Sequence, residues 1–403
     1  MATRSIQGPA LAGLLSCAGL LLVGWTSLLV PSLIRSIEHD FGQTDAAIGV
    51  FFFVYSVASV SGSMGGGLLT ERLGRRVVLP IAIGLITLGL LGLANAPTWA
   101  AFLVLTIPFG LGSGVIDGGM NGLTLDLYPA SRGRALNVLH LFFSLGALAS
   151  PLLVGRLVEA GTAWQSVVAG TALATIPLAL VFALANLPSG RHAGAGDSSD
   201  AHGRITLAVP LIALAIAIAC YVGAEIGVSD WLVRFLETAS LGLATSALAL
   251  FWGCLTLGRG VSAVLGDRFD HARFAALSAL AASVALMAAV LVPSLPASIL
   301  LFGVVGFAFG PVYPLIMAVA GDRFPARAAA VSGFLAGSGV IGAIVYPPVM
   351  GFVSVGAGLG AAMGGAAVLA LACAIVLGLF SRRGDTVPAG GRVAGPLDRS
   401  GVG

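Results

Sequence analysis

Long apolar runs of about 20 residues recur along the chain, separated by short stretches of charge, proline or glycine. A run of that length spans the hydrocarbon core of a bilayer, about 30 Å, as one helix. The runs predict membrane helices at 9–34, 45–69, 77–95, 98–125, 134–158 and 164–187. Six more follow at 205–233, 243–265, 273–293, 296–320, 328–353 and 357–380. Between the two sets lies Ser189–Arg204, which holds Gly, Ser, Asp, His and Arg without an apolar stripe, as a flexible connection does. The expected organisation is a six-helix bundle at 1–188, a linker at 189–204, a second bundle at 205–381 and a disordered tail at 382–403.

The two sets match each other. Displaced by 196 positions, Glu71-Arg72 falls on Asp267-Arg268 and Asp126 on Asp322. Tyr128-Pro129 falls on Phe324-Pro325, Pro151 on Pro347, Gly155 on Gly351, and Gly110 and Gly114 on Gly306 and Gly310. One constant offset over turn and charge residues indicates two copies of one unit. In so apolar a chain, that is the pattern of a transporter whose substrate site lies between its repeats.

Composition narrows the class. Hydrophobic residues make up 58% and charged residues 9%, with mean hydropathy +1.02, against about 25% charged residues in a soluble domain. The net charge of +3 gives no basis for a nucleic-acid partner. All 20 basic residues are arginine, which reflects genome composition rather than mechanism. Their placement is informative. Arg4, Arg72, Arg75, Arg76, Arg132, Arg134, Arg191, Arg204, Arg268, Arg273, Arg323, Arg327 and the tail arginines fall on one side of the predicted spans. Only Arg35, Arg156 and Arg234 fall on the other. The positive-inside rule then predicts a multi-pass protein of the bacterial inner membrane with both termini, linker and tail cytoplasmic. The apolar run after Arg4 is too long for a signal-peptide core and is expected to be the first membrane helix. Trp99, Trp164 and Trp231 lie near predicted outer ends, where interfacial anchors belong. Cys17, Cys220, Cys254 and Cys373 sit at scattered spacing inside apolar runs, so packing thiols are expected, with no metal site and no cofactor.

The segment Gly67-Leu-Leu-Thr-Glu71-Arg72-Leu-Gly74-Arg75-Arg76 resembles the loop between helices two and three of the major facilitator superfamily, with a degenerate copy at Gly266-Asp267-Arg268. A narrower resemblance is to the fucose-permease-like branch. It rests on Gly110 to Asn121, on Leu136 to His140 with Ser144 to Ala147, on Tyr221 to Trp231, and on Phe251-Trp252 with Gly258-Arg259. The resemblance implies an all-α membrane protein of twelve transmembrane helices in two pseudo-symmetric six-helix bundles, acting as a monomer. It implies a sugar:proton symporter, a permease for small polar solutes, in which Gly67, Glu71, Arg72, Gly74, Arg75, Arg76, Asp126, Asp267, Arg268 and Asp322 form the conformational loops. It also matches Asp117 to the helix-four carboxylate implicated in proton coupling and sugar recognition. That permease carries a further acid on helix one, where this chain has none.

Ionisable groups inside a bilayer cost roughly 2.5–3.5 kcal/mol each, so each calls for a reason. Asp117 and Glu225 are the expected proton-coupling pair, one on the inner and one on the outer side of mid-membrane; an acid capping a kink and one solvated near the mouth are the plainer alternatives. Asn121, one turn from Asp117, and Tyr221, one turn before Glu225, are candidate substrate contacts, as are Asn137 and His140. Trp252 and Tyr313 are candidate stacking walls. Arg259 is a candidate anion holder, or else a snorkelling or ion-paired residue. Glycine runs such as 110–114 and 332–342 read as small-residue faces for close helix packing. Clustered nucleophiles, metal ligands or paired surface acids, which a membrane enzyme would need, are not seen. Transport of a sugar-like solute with protons is the expected function, and proton-driven efflux of a drug or metabolite is the alternative.

Overall fold

The computed structural model describes residues 9–188 and 209–384, called here the first and second halves. The linker expected at 189–204 lies outside the described residues, as does the tail beyond 384. Among the described residues every regular element is helical: α1 (Pro9–Ser27), α2 (Leu29–Phe41), α3 (Asp45–Leu73), α4 (Arg75–Ala94), α5 (Trp99–Leu127), α6 (Arg132–Glu159) and α7 (Trp164–Leu184), then α8 (Val209–Phe235), α9 (Leu241–Leu265), α10 (His271–Leu291), α11 (Leu295–Phe309), α12 (Val312–Arg323) and α13 (Ala328–Gly384), with two short 3-10 turns.

Among the described residues, eleven helical segments are long and apolar enough to cross a membrane, where twelve are expected. The difference lies in the last, Ala330–Ser381, which runs for 52 residues. Unbroken, it would reach about 78 Å at 1.5 Å per residue. Gly358 interrupts it with φ 80° and ψ 157°, a backbone conformation that glycine adopts without strain. Two other segments are each built from two helices. Pro31 has no N–H to offer the Ser27 carbonyl, and α1 gives way to α2 at Leu28. Pro314 stands in the same relation to Gly310, where α11 gives way to α12. The first segment extends to Phe41, beyond the predicted limit of 34, and the last helix continues to Gly384.

The 196-residue repeat extends to atomic contacts. A methyl on Gly62, Gly110 or Gly114 of the first half would collide with the backbone carbonyls of Leu111, Tyr55 and Ser59 respectively. At the equivalent positions Gly258, Gly306 and Gly310, it would collide with those of Phe307, Phe251 and Leu255. Each partner is also displaced by the same offset. α3 thus crosses α5 as α9 crosses α11, backbone against backbone, which is what small-residue faces permit inside a membrane.

Large apolar side chains such as Leu68, Leu88, Leu184, Val264, Leu277 and Leu300 are turned outward. This is the arrangement of a protein solvated by lipid. Two of the three expected interfacial tryptophans are instead buried. Trp231 donates to the Pro347 carbonyl (2.9 Å), and Trp164 donates to Asp40 Oδ2 (2.6 Å). Each indole N–H has an internal acceptor, so neither needs the membrane–water interface.

Candidate functional site

Between the halves lies a cavity of about 320 Å³. From the first half it is lined by the α1–α2 break (Thr26 to Leu28, with Val30 and Pro31), by Phe51, Phe52, Tyr55, Ser56, Ser59 and Val60 of α3, and by Phe109 and Asp117 of α5 and Phe143 of α6. The second half contributes Ile226, Ser229 and Asp230 of α8, Trp252 of α9, and Val340, Ala343 and Ile344 of α13. A broken helix at this point is consistent with the fold, because irregular backbone at membrane depth is tolerated where it borders a cavity. Phe143 and Trp252 meet across the halves with ring centroids 5.9 Å apart. The Trp252 indole N–H donates to Ser229 Oγ at 2.9 Å.

Of the residues expected from sequence, Asp117 and Trp252 line this cavity. Asn121 is engaged by its own helix: its amide donates to the Asp117 carbonyl (2.9 Å) and to Asp117 Oδ1 (3.3 Å). Glu225 is buried and ion-paired with Arg259 at 3.3 Å, behind the cavity wall rather than on it. The ion-pair alternative for Arg259 is the one observed. Tyr221 is also buried, its ring 5.6 Å from Phe309, with its hydroxyl beside this pair but without a well-formed hydrogen bond. Tyr313 is half-buried, 6.4 Å from the Tyr221 ring and within electrostatic reach of Asp117, Glu225 and Arg259 together. Asn137 and His140 are exposed on α6, and His140 lies close enough to Arg259 to feel its charge.

Three features were not singled out from sequence. Asp230 lies on the cavity wall and makes no hydrogen bond or ion pair with the described residues. Tyr55 lies within electrostatic reach of both Asp117 and Asp230. The sequence signal for Asp230 is an acid inside an apolar helix, the same signal that its neighbour Glu225 carries. The third feature is a set of contacts between the halves at the arginine-poor end. Arg234 of α8 pairs with Glu38 (2.8 Å) and Asp45 (3.0 Å) of the first half. Arg35 donates to the Val233, Leu236 and Ala239 carbonyls at the end of α8. Glu159 accepts from the Gly242 N–H (3.1 Å), and Ser354 donates to Asp45 (2.7 Å).

At the arginine-rich end, Arg75 pairs with Asp126 at 2.5 Å. His271 meets Asp322 at 2.9 Å, both residues displaced from that first pair by 196. Gly74 takes φ 81° where α3 turns into α4, a turn that needs glycine. Glu71, Arg72, Arg76 and Arg268 are exposed, and space is open around Gly67. The Asp267 side chain lies outside what the structure describes.

The family model described as Major Facilitator Superfamily matches residues 14–258 and again 203–398. An uncharacterised MFS-type transporter of Yersinia pestis is 28% identical over 379 residues, covering 89% of this chain and 91% of its own length. Among solved structures, a bacterial homologue of the human lysosomal transporter Spinster, in an inward-facing and occupied conformation, superposes with TM-score 0.77. It is 17% identical and covers 93% of this chain and 98% of its own. The fucose:proton symporter of E. coli superposes with TM-score 0.61 at 20% identity, covering 93% of this chain and 99% of its own.

Proposed function

The chain belongs to the Major Facilitator Superfamily, whose proteins are transporters rather than enzymes, and from that premise we propose that it moves a small organic solute across the bacterial inner membrane by alternating access, driven by protons that bind Asp117. The observation carrying this is Asp117 itself. It is an intramembrane acid on the wall of a cavity between the halves, held among the described residues by the Asn121 of its own helix. A carboxyl in such a place can take up and release a proton, and its charge state then biases which side the cavity faces.

Counting the helix on each side of the Gly358 break separately gives twelve spans in two bundles of six, with the boundaries at 1–188 and 205–381. The arginine-rich end is cytoplasmic by the positive-inside rule. The contacts from Arg35, Arg234, Glu159 and Asp45 then close the outer side, and the cavity is served from the cytoplasm. Glu225 with Arg259 acts as a structural pair beside the proton site, and Tyr313 connects the two. The loop set from Gly67 to Arg76, with Asp126, Asp267, Arg268 and Asp322, steers the rocking of one bundle against the other as a monomer.

Uptake of a sugar-like solute is supported by the fucose-permease-like resemblance. The cavity wall favours the second direction, efflux of a drug or metabolite. Asn121, Asn137, His140 and Tyr221, the candidate polar contacts for a substrate, do not line it, whereas six aromatic rings do. The test uses the full chain in proteoliposomes with an imposed proton gradient. Asp117→Asn is expected to abolish gradient-driven accumulation while exchange of solute across the membrane persists. Accumulation at the wild-type level in that variant would remove Asp117 from the mechanism.

A further inference from the structure

We propose that the cavity takes an organic cation, with Asp230 as its counter-charge. This deepens the transporter reading above and rests on it. The acids of the central and arginine-poor regions have partners, with one exception. Glu38, Asp45 and Glu237 are paired with Arg234, Glu159 accepts from the Gly242 N–H, Asp40 accepts from Trp164 and Gln165, Glu225 is paired with Arg259, and Asp117 accepts from Asn121. Asp230 alone among these has no partner in the described residues, and its side chain lines the cavity.

The wall of that cavity carries two carboxylates and no basic side chain. With the proton on Asp117, a neutral solute would still leave an ionised Asp230 without a counter-charge, and an anion would be repelled by it. A singly charged cation satisfies one acid and leaves the other for the proton. The aromatic lining points the same way. Phe52, Tyr55, Phe143 and Trp252 border the same space as Asp230, and ring faces attract cations through their quadrupoles. Trp252, which lines the same cavity as Asp230, is anchored through its indole N–H to Ser229, which fixes the largest of these rings on the cavity wall. The predicted cargo is an amine or quaternary cation with apolar substituents, small enough for about 320 Å³.

The test measures binding of radiolabelled tetraphenylphosphonium to the purified full-length protein in lipid nanodiscs. Tetraphenylborate, of the same shape and opposite charge, serves as the competitor. The cation is expected to bind, and tetraphenylborate to compete poorly. Asp230→Asn should weaken binding by about tenfold or more, whereas Asp230→Glu should hold it near the wild-type level. Each variant is checked for monodispersity and melting temperature. If Asp230→Asn does not insert, Trp252→Leu provides the same reading on the aromatic wall and should also weaken binding. Equal binding by the Asp230 variants and the wild type, equal competition by tetraphenylborate, or no binding of the cation at all would overturn the proposal. Proteoliposome transport separates the two levels. Tetraphenylphosphonium that binds through Asp230 but is not moved by a proton gradient would sink the transport reading and leave the cation site standing. Gradient-driven movement of a sugar, without cation binding, would do the reverse.

Discussion

At the arginine-poor end, Arg35 and Arg234 reach from one half to the other, whereas at the arginine-rich end Arg75 and His271 each meet an acid of their own half. The two kinds of contact behave differently when the halves move. A pair inside one half travels with it and costs nothing to keep. A pair between halves must break before that end can open, so its strength sets the equilibrium between the two orientations. The Arg234–Glu38 pair adds a point of symmetry. Residues 38 and 234 are equivalent in the repeat, so they face each other where the two copies meet. A perfect repeat would place like side chains there; this chain places opposite charges. Close packing supports the same closure. A side chain at Gly351 would run into the Asp45 backbone and the Trp231 ring of the contact region, and one at Gly155 would run into Thr245.

The largest effect is expected where closure depends on backbone approach. Gly351→Leu should keep the arginine-poor end from closing and reduce transport by at least about tenfold, since overpacking against backbone costs about 1–3 kcal/mol or more. Double electron–electron resonance between spin labels at Thr162 and Leu243, on opposite halves at that end, should show a shift to longer distances. An unchanged distribution would mean that the approach of α3 and α13 does not govern the end. Next comes Arg234→Met, which strips Glu38 and Asp45 of their cation. With the Arg234 side chain 26% exposed, the shift toward the open end should be about 1–3 kcal/mol rather than the full cost of a buried pair. The exchange Glu38→Arg with Arg234→Glu should recover part of it. A double variant no better than the single one would show that Arg234 works through Asp45 and Glu237 instead.

The comparison also separates what the residues disclosed from what they did not. The helices, the repeat and the loop residues Gly74, Arg75 and Asp126 were legible because apolar run length, glycine and fixed offsets are local signals. The glycine faces were legible for the same reason, as spacing along one helix already determines which side is small. Span number was legible up to its last boundary: α13 carries both of the last two expected spans, and only the backbone at Gly358 marks the break between them. Partner choice was least legible. Nothing local distinguishes Glu225, locked to Arg259, from Asp230, left open on the cavity wall five residues later. That distinction is made by which neighbouring helix supplies an arginine. Trp164 and Trp231 misled for a similar reason: position along a span suggests an interface, while a buried acceptor on another helix decides otherwise.

The smallest effect should come from the arginine-rich end, where the two repeat copies have diverged in depth. Arg75 keeps 7% of its side chain exposed and Asp126 37%, whereas the corresponding figures for His271 and Asp322 are 23% and 71%. Water already serves most of the Asp322 carboxylate, so losing its partner leaves little uncompensated charge. His271→Ala should therefore cost no more than about 0.5 kcal/mol. Arg75→Met should cost about 1–3 kcal/mol, because Asp126 loses a short charge-assisted bond in a place water reaches less easily. Both pairs lie within one half, so neither variant should alter the label distances at Thr162 and Leu243. Melting temperatures in nanodiscs should fall by several degrees for Arg75→Met and barely move for His271→Ala. Equal losses in the two variants would mean that depth is not what separates the copies. A changed distance at the far end would mean that an in-half pair helps set the orientation, and the contrast between the two ends would no longer hold.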